Sequence, residues 1–177
     1  YHIRWFTPVA EVDLCGHATL ASAHYLFAIA AYERDTIRFH SRSGELLVRR
    51  TEQGYQLDFP LDVIRPVEVD PIWSSIVGAE VKEAYQGKTD LLFITGDAGQ
   101  VYDCKPDMAA ITKLGGRGII LSARDTSGRY DIISRCFYPA FGVPEDPVTG
   151  SAHTTLLAYW DQELHQTEYK AFQASTR

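Results

Sequence analysis

Cys15, Gly16 and His17 head the stretch "DLCGHATLASAHYLF" (13–27), where polar chain gives way to a run of small and apolar residues. A similar arrangement returns downstream in "PVTGSAHTTLLAYW" (147–160), headed by Thr149, Gly150 and Ser151. The length of each run and its Ala and Leu content predict a helix that begins at the glycine. The first turn of a helix has unpaired backbone N–H groups and a partial positive charge of roughly half a unit, so it attracts carboxylates and phosphates. Glycine there lets a ligand approach the amides closely. Two such ends meeting at a cleft would hold a small anionic metabolite from both sides.

The side chains around the two heads add chemistry. "GVPEDPVTGSA" supplies Glu145, Asp146, Thr149 and Ser151. Pro147 keeps Asp146 out of the α region, which suits a carboxylate aimed at a fixed point, although an N-cap or Asx-turn role fits the same spacing. His17 can cap, bond a loop carbonyl or transfer a proton. Cys15 gains thiolate character if it faces the helix N-terminus and is inert if it is a buried structural thiol. Ser151 is a ligand contact or a helix-start hydroxyl. His24, Tyr25, Cys104 and Cys136 read as core. Other motifs fail on inspection. "Gly87-Lys88-Thr89" lacks the earlier glycine of a phosphate loop and precedes a strand instead of following one. No His, Cys or carboxylate set has zinc spacing, and no Gly-X-Ser-X-Gly elbow surrounds Ser151. Neither metal nor organic cofactor is expected.

These residues need elements to position them. "HIRWF", "TIRFHS", "ELLVRRT" and "YQLDFP" alternate as antiparallel strands, with hairpins at Ser43-Gly44 and Gln53-Gly54. The helix from Gly16 to about Tyr32 is apolar on every side, which predicts burial all round, with strands wrapped about it. "LDVIRPVEVDP" reads as a linker. Beyond it come a short helix near 71–77, a strand "DLLFITG", a strand or turn at "QVYDCK", a helix "DMAAITKL", strands "GIILSARD" and "YDIISRCFYP", the Gly150 helix and a last strand "YKAFQAS".

Composition limits the partners. With 45% hydrophobic and 23% charged residues the chain is an ordinary globular one, and a net charge of −6 without a Lys/Arg block argues against nucleic acid. The longest apolar run is too short to cross a bilayer, and no signal peptide is visible, so no membrane association is expected. Three distant cysteines fit a reduced, cytoplasmic protein. The chain starts without Met and both ends run in strand-like sequence, as in a fragment or processed chain.

An internal repeat unifies these readings. "Arg4-Trp5-Phe6-Thr7-Pro8" is similar to "Arg135-Cys136-Phe137-Tyr138-Pro139", and each precedes a loop and a Gly-X-Ala helix head. "FTPVAEVDLCGHATLASA" and "FGVPEDPVTGSAH" together resemble the paired signatures of the PhzF family, the phenazine biosynthesis-like proteins, and the strands between them fit over essentially the whole chain.

The resemblance implies an α+β fold like that of diaminopimelate epimerase. It would have two pseudo-symmetric lobes, each a curled, mostly antiparallel sheet around a central helix, apparently truncated at both ends here. The lobes would be 1–62 and 63–177, with the active site in a cleft between them, and the protein would be a homodimer. The best-known member isomerises trans-2,3-dihydro-3-hydroxyanthranilate by cofactor-free proton transfer. Carried over residue by residue, Asp146 and His17 are the expected catalytic pair, and Gly16, Gly150, Ser151, Cys15 and Thr149 the expected substrate contacts. The family's principal acid/base is a Glu upstream of "RWFTP", where this chain has no residues. Related epimerases oppose two cysteines; Cys15 matches one, but Thr149 stands at the other place, and a hydroxyl exchanges protons far less readily near neutrality. Three functions are therefore expected in turn: a PhzF-like isomerase of a small carboxylate-bearing metabolite, a non-catalytic ligand-binding or interaction protein, and an amino-acid epimerase using Cys15.

Overall fold

The computed structural model describes residues 1–7 and 11–176; Pro8 of the internal repeat lies outside them. The chain forms two compact units, Tyr1–Pro60 with Thr149–Ser151, and Leu61–Val148 with Ala152–Arg177.

In the first unit, β1 (Trp5–Phe6) pairs antiparallel with β2 (Glu11–Val12). Helix α1 (Gly16–His24) follows and continues through a wider π turn at Tyr25–Ile29. Strands β3 (Thr36–Ser41), β4 (Gly44–Thr51) and β5 (Gly54–Asp58) then form an antiparallel meander. Its two turns are the predicted ones, because Gly44 at φ +100° and Gly54 at φ +133° adopt a conformation costly for any residue with a Cβ. Ile37, Phe39, Leu46 and Val48 alternate inward and close a core with Trp5, Ala23 and Phe27.

Helix α1 departs from the expectation of burial all round. Only Gly16, Thr19 and Ala23 of the helix, and Phe27 after it, are buried, a single stripe at helical spacing. His24 and Tyr25, expected in the core, are exposed, Tyr25 at 59%. A single three-stranded sheet covers one side of the helix in this unit, and much of the other side is alanine, which exposes little apolar surface per residue. His24 Nδ1 lies 2.9 Å from the Tyr55 hydroxyl, so its ring is held against the sheet edge and not within the core.

The second unit opens with β6 (Arg65–Val67), a strand inside the segment predicted as a linker. Pro66 is accommodated because β6 is the outermost strand of its sheet, where a missing N–H breaks no central ladder. Then come α2 (Ile72–Val77), β7 (Glu83–Gln86), β8 (Asp90–Ile94), α3 (Ala98–Asp103), α4 (Met108–Lys113), β9 (Gly118–Arg124) and β10 (Ile132–Tyr138). β11 (Val143–Asp146), α5 (Ala152–Leu164) and β12 (Ala171–Gln173) complete the unit. The seven strands make one sheet in the order β11-β10-β9-β8-β7-β6, with β12 also on β10. The β8–β9 and β10–β12 pairs are parallel and the others antiparallel.

Both faces of this sheet are covered. Leu91, Phe93, Ile119, Leu121, Ile133 and Phe137 pack with α2, α3 and α4, while Leu92, Ile94, Ile120, Ile132 and Cys136 pack with Leu156, Tyr159 and Trp160 of α5. Burial on both faces explains the predominantly apolar sequences of β8, β9 and β10, in which Asp90, Ser122, Ser134 and Arg135 are the buried polar residues. "QVYDCK" is helical over most of its length, not a strand or turn: Asp97 caps α3 by accepting from the Gln100 backbone N–H at 3.1 Å, and the Gln100 side chain returns to the same carboxylate. Cys104 follows that helix and is buried, though not in a strand. "Gly87-Lys88-Thr89" is the turn between β7 and β8, with the Lys88 N–H donating to the Asp62 carboxylate at 3.3 Å. Among the described residues no helix is long and apolar enough to cross a membrane.

Candidate functional site

The first helix head is built by close backbone packing. Cys15 occupies the N-cap position of α1 in an extended conformation, and its carbonyl accepts from both the amide and the hydroxyl of Thr19, at 3.1 and 2.7 Å. Gly16 is buried, and a Cβ there would lie 2.9 Å from the Phe59 ring and 3.3 Å from the Gly150 Cα. The converse also holds, since a Cβ on Gly150 would lie 3.3 Å from the Gly16 Cα and 3.4 Å from Phe59. The two glycines predicted from the repeat therefore face each other, with the Phe59 ring as a shared wall. Phe59 was not singled out from sequence; its signal is its place directly after the last strand of the meander, one residue before Pro60.

Polar groups surround this contact within the first unit. Thr149 and Ser151 are buried, at 5% and 9% exposure, although both carry hydroxyls. His17 is exposed, and its Nε2 lies 3.6 Å from the Sγ of half-buried Cys15. An imidazole beside a thiol at a helix N-terminus is an arrangement in which either group can pass a proton. Cys104 and Cys136 are buried at 4% and 0% exposure in the other unit. The structure thus brings Cys15, Gly16, His17, Thr149, Gly150 and Ser151 into one compact unit.

Asp146 belongs to the second unit, as the last residue of β11. It is paired opposite Cys136, its carbonyl accepts from the Gln173 side-chain amide, and its Oδ1 accepts from the Val148 N–H at 3.3 Å. That last bond closes an Asx turn, the local role that its spacing had allowed. Asp146 is only half-buried, and four residues of chain keep its Cα within about 14 Å of that of Gly150.

What fixes Asp146 is its neighbour. Glu145, which sequence grouped with the polar residues of the loop, is buried and paired with Arg135 in two parallel bonds, Nε to Oε1 at 2.8 Å and Nη2 to Oε2 at 3.0 Å. The remaining Arg135 nitrogen donates to the carbonyls of Val101, Tyr102 and Cys104 at 3.0–3.4 Å and to the Cys104 sulfur at 3.0 Å. Burial alone would raise the Glu145 carboxyl, but the hydrogen bonds and charge of Arg135 outweigh it and hold the group below the usual carboxylate range. Burial likewise pushes the Cys104 thiol up, against the nearby guanidinium. Glu145 is accordingly a brace for β11, and Asp146 is the carboxylate of this segment left near solvent.

Comparison with known proteins places these features in a family context. The family model described as phenazine biosynthesis-like protein, PhzC-PhzF, matches residues 1–177. The chain is 42% identical over 180 residues to an uncharacterized isomerase of Halalkalibacterium halodurans, covering 100% of this chain and 68% of that protein. It is 38% identical over 196 residues to a human phenazine biosynthesis-like domain-containing protein, covering 100% of this chain and 67% of the human one. Among solved structures, a PhzF-family protein of Enterococcus faecalis superposes with a TM-score of 0.90 at 42% identity, over 99% of this chain and 66% of that one. The chain thus spans about two thirds of the length of the relatives it matches.

Proposed function

This chain belongs to the PhzC-PhzF family of phenazine biosynthesis-like proteins, and on that premise we propose that it serves as an isomerase moving a proton within a small carboxylate-bearing metabolite, by general acid/base chemistry that needs no cofactor. The observation that carries the reading is the mutual approach of Gly16 and Gly150, where a Cβ added to either would lie 3.3 Å from the Cα of the other. That approach supports a ligand carboxylate held by backbone amides at a helix start, with the Ser151 hydroxyl as a further donor. His17 and Asp146 then exchange protons with the bound molecule, the imidazole in the first turn of α1 and the carboxylate at the end of the braced strand β11. Cys15, in contact with His17, and buried Thr149 line the same segments. By family resemblance the active unit is a homodimer.

A second reading is favoured by one observation. The Asx turn at Asp146 gives that carboxylate a structural task, so the site can bind an anion without moving a proton. Solvent deuterium separates the two. The full chain is incubated in D2O with a panel of small cyclic amino-carboxylates, starting from trans-2,3-dihydro-3-hydroxyanthranilate, and each is examined by mass spectrometry. Gain of one mass unit in a panel member, lost with D146A, supports the isomerase. Saturable thermal stabilisation without deuterium uptake supports the binding protein.

A further inference from the structure

We propose that the cavity between the β9–β10 loop and the α5–β12 connection is a second binding site, for a small anion carrying two or more negative charges. The cavity measures about 570 Å³, within the range of small-molecule sites, and lies wholly in the second unit. Its chemistry is set by Arg124, Arg129, Lys170, Tyr130 and two aspartates, Asp125 and Asp131.

The acids of this cavity are occupied by the loop itself. Asp125 Oδ1 accepts from the Ser127 amide at 2.9 Å, and Oδ2 accepts from the Ser127 hydroxyl at 2.7 Å and the Tyr130 amide at 3.1 Å. These bonds, the Ser127 amide first, keep the Asp125 carboxyl ionised by holding it below its usual range. Asp131 Oδ2 accepts from the Lys170 amide at 2.7 Å, while the Asp131 amide donates to the Lys170 carbonyl at 2.8 Å. The carboxylates thus fold the loop and tie it to Lys170, the residue before β12.

The cations make no close ion pair: among the described residues none of Arg124, Arg129 and Lys170 has a carboxylate oxygen within 4.0 Å, although the charge of Arg129 helps to lower the Asp125 carboxyl. They are not loosely attached to the fold. Arg124 ends β9 opposite Ile132, and the Lys170 ammonium sits 5.5 Å from the centroid of the Tyr130 ring, itself stacked on Phe172 at 4.8 Å. In a protein of net charge −6, the cavity is lined by three cations and two carboxylates, which leave one net positive charge on a concave surface. The cavity is too small for a polymer, and no basic stripe extends from it. Phosphate and carboxylate groups share the required chemistry, planar or tetrahedral oxygens that two guanidinium groups and an ammonium can grip.

The site is independent of the helix heads and stands whichever function they serve. The test titrates the full chain with inorganic pyrophosphate and, separately, with citrate, by isothermal calorimetry at low salt and at about 0.3 M salt, where surface charges are well screened. The wild type is expected to bind at least one anion saturably and less tightly at high salt. R129A and K170A, both replacing exposed side chains, should each weaken that binding about tenfold, whereas S151A should leave it intact. Tighter binding of pyrophosphate identifies a phosphate ligand, and tighter binding of citrate a polycarboxylate. Absence of saturable binding by both anions overturns the proposal, as does binding that S151A abolishes and R129A and K170A leave unchanged.

Discussion

The segments around Gly16 and Asp146 carry the residues expected to act together, yet the protein holds them by different means. At Gly16 the constraint is steric: two glycines and one aromatic ring meet so closely that an added methyl group would collide. At Asp146 the constraint is electrostatic, because a buried Arg135–Glu145 pair fixes the strand whose final residue is the half-buried acid. Packing by small residues suits a place where backbone amides must reach a ligand. A buried ion pair suits a place where a charged side chain must be aimed while its neighbour stays out of the chemistry.

Removing one partner of the electrostatic brace should have the largest effect. E145A leaves Arg135 buried and unpaired and is expected to cost about 3–5 kcal/mol in urea unfolding. The pH dependence has a defined sign. Because the folded-state Glu145 carboxyl lies below its ordinary range, the pair's contribution is complete above about pH 4.3 and is lost as pH falls through the lower folded value. Wild type and E145Q should therefore converge in stability at acid pH and separate toward neutrality.

D146A tests whether the brace exists for the sake of its neighbour. Turnover of a found substrate should drop at least about 10²-fold, with unfolding free energy changed by less than about 1 kcal/mol, about the net worth of the turn hydrogen bond to Val148. G16V tests the steric arm. Its side chain must displace Phe59 and the Gly150 backbone, for an expected loss of about 1–3 kcal/mol and of ligand binding. The smallest effect is expected from C15S, which should keep turnover within about tenfold; complete loss would instead support thiol-based epimerisation.

The steric arm was more legible in sequence than the electrostatic one. Glycine followed by small residues at a helix start is a local pattern, and it appears twice, so Gly16 and Gly150 could be found by reading along the chain. The meander from Thr36 to Asp58 was equally local, set by alternation and two glycine turns. Arg135 and Glu145 lie ten residues apart, across a turn, and nothing in either segment announces that both are buried. β7 and β11 have four residues each and owe their extended form to partners elsewhere in the sheet, so their own sequence carried little signal. The exposed side of α1 was misread for a related reason: an alanine-rich run looks apolar on every face, and only the extent of the covering sheet decides which faces are buried. The arginine and lysine cavity was invisible because its residues are scattered from 124 to 170 among acids that fold back on their own loop.

The central claim is that Asp146 and His17 move a proton on a ligand held at the glycine heads. The most direct test is the rate of deuterium wash-in from D2O, measured for the first panel compound that stabilises the protein, with wild type, D146A and H17A side by side. The account predicts incorporation with wild type and a loss of at least about 10²-fold in each variant, with the variants still folded. Incorporation at the wild-type rate in both variants would contradict it and move the proton transfer to other residues.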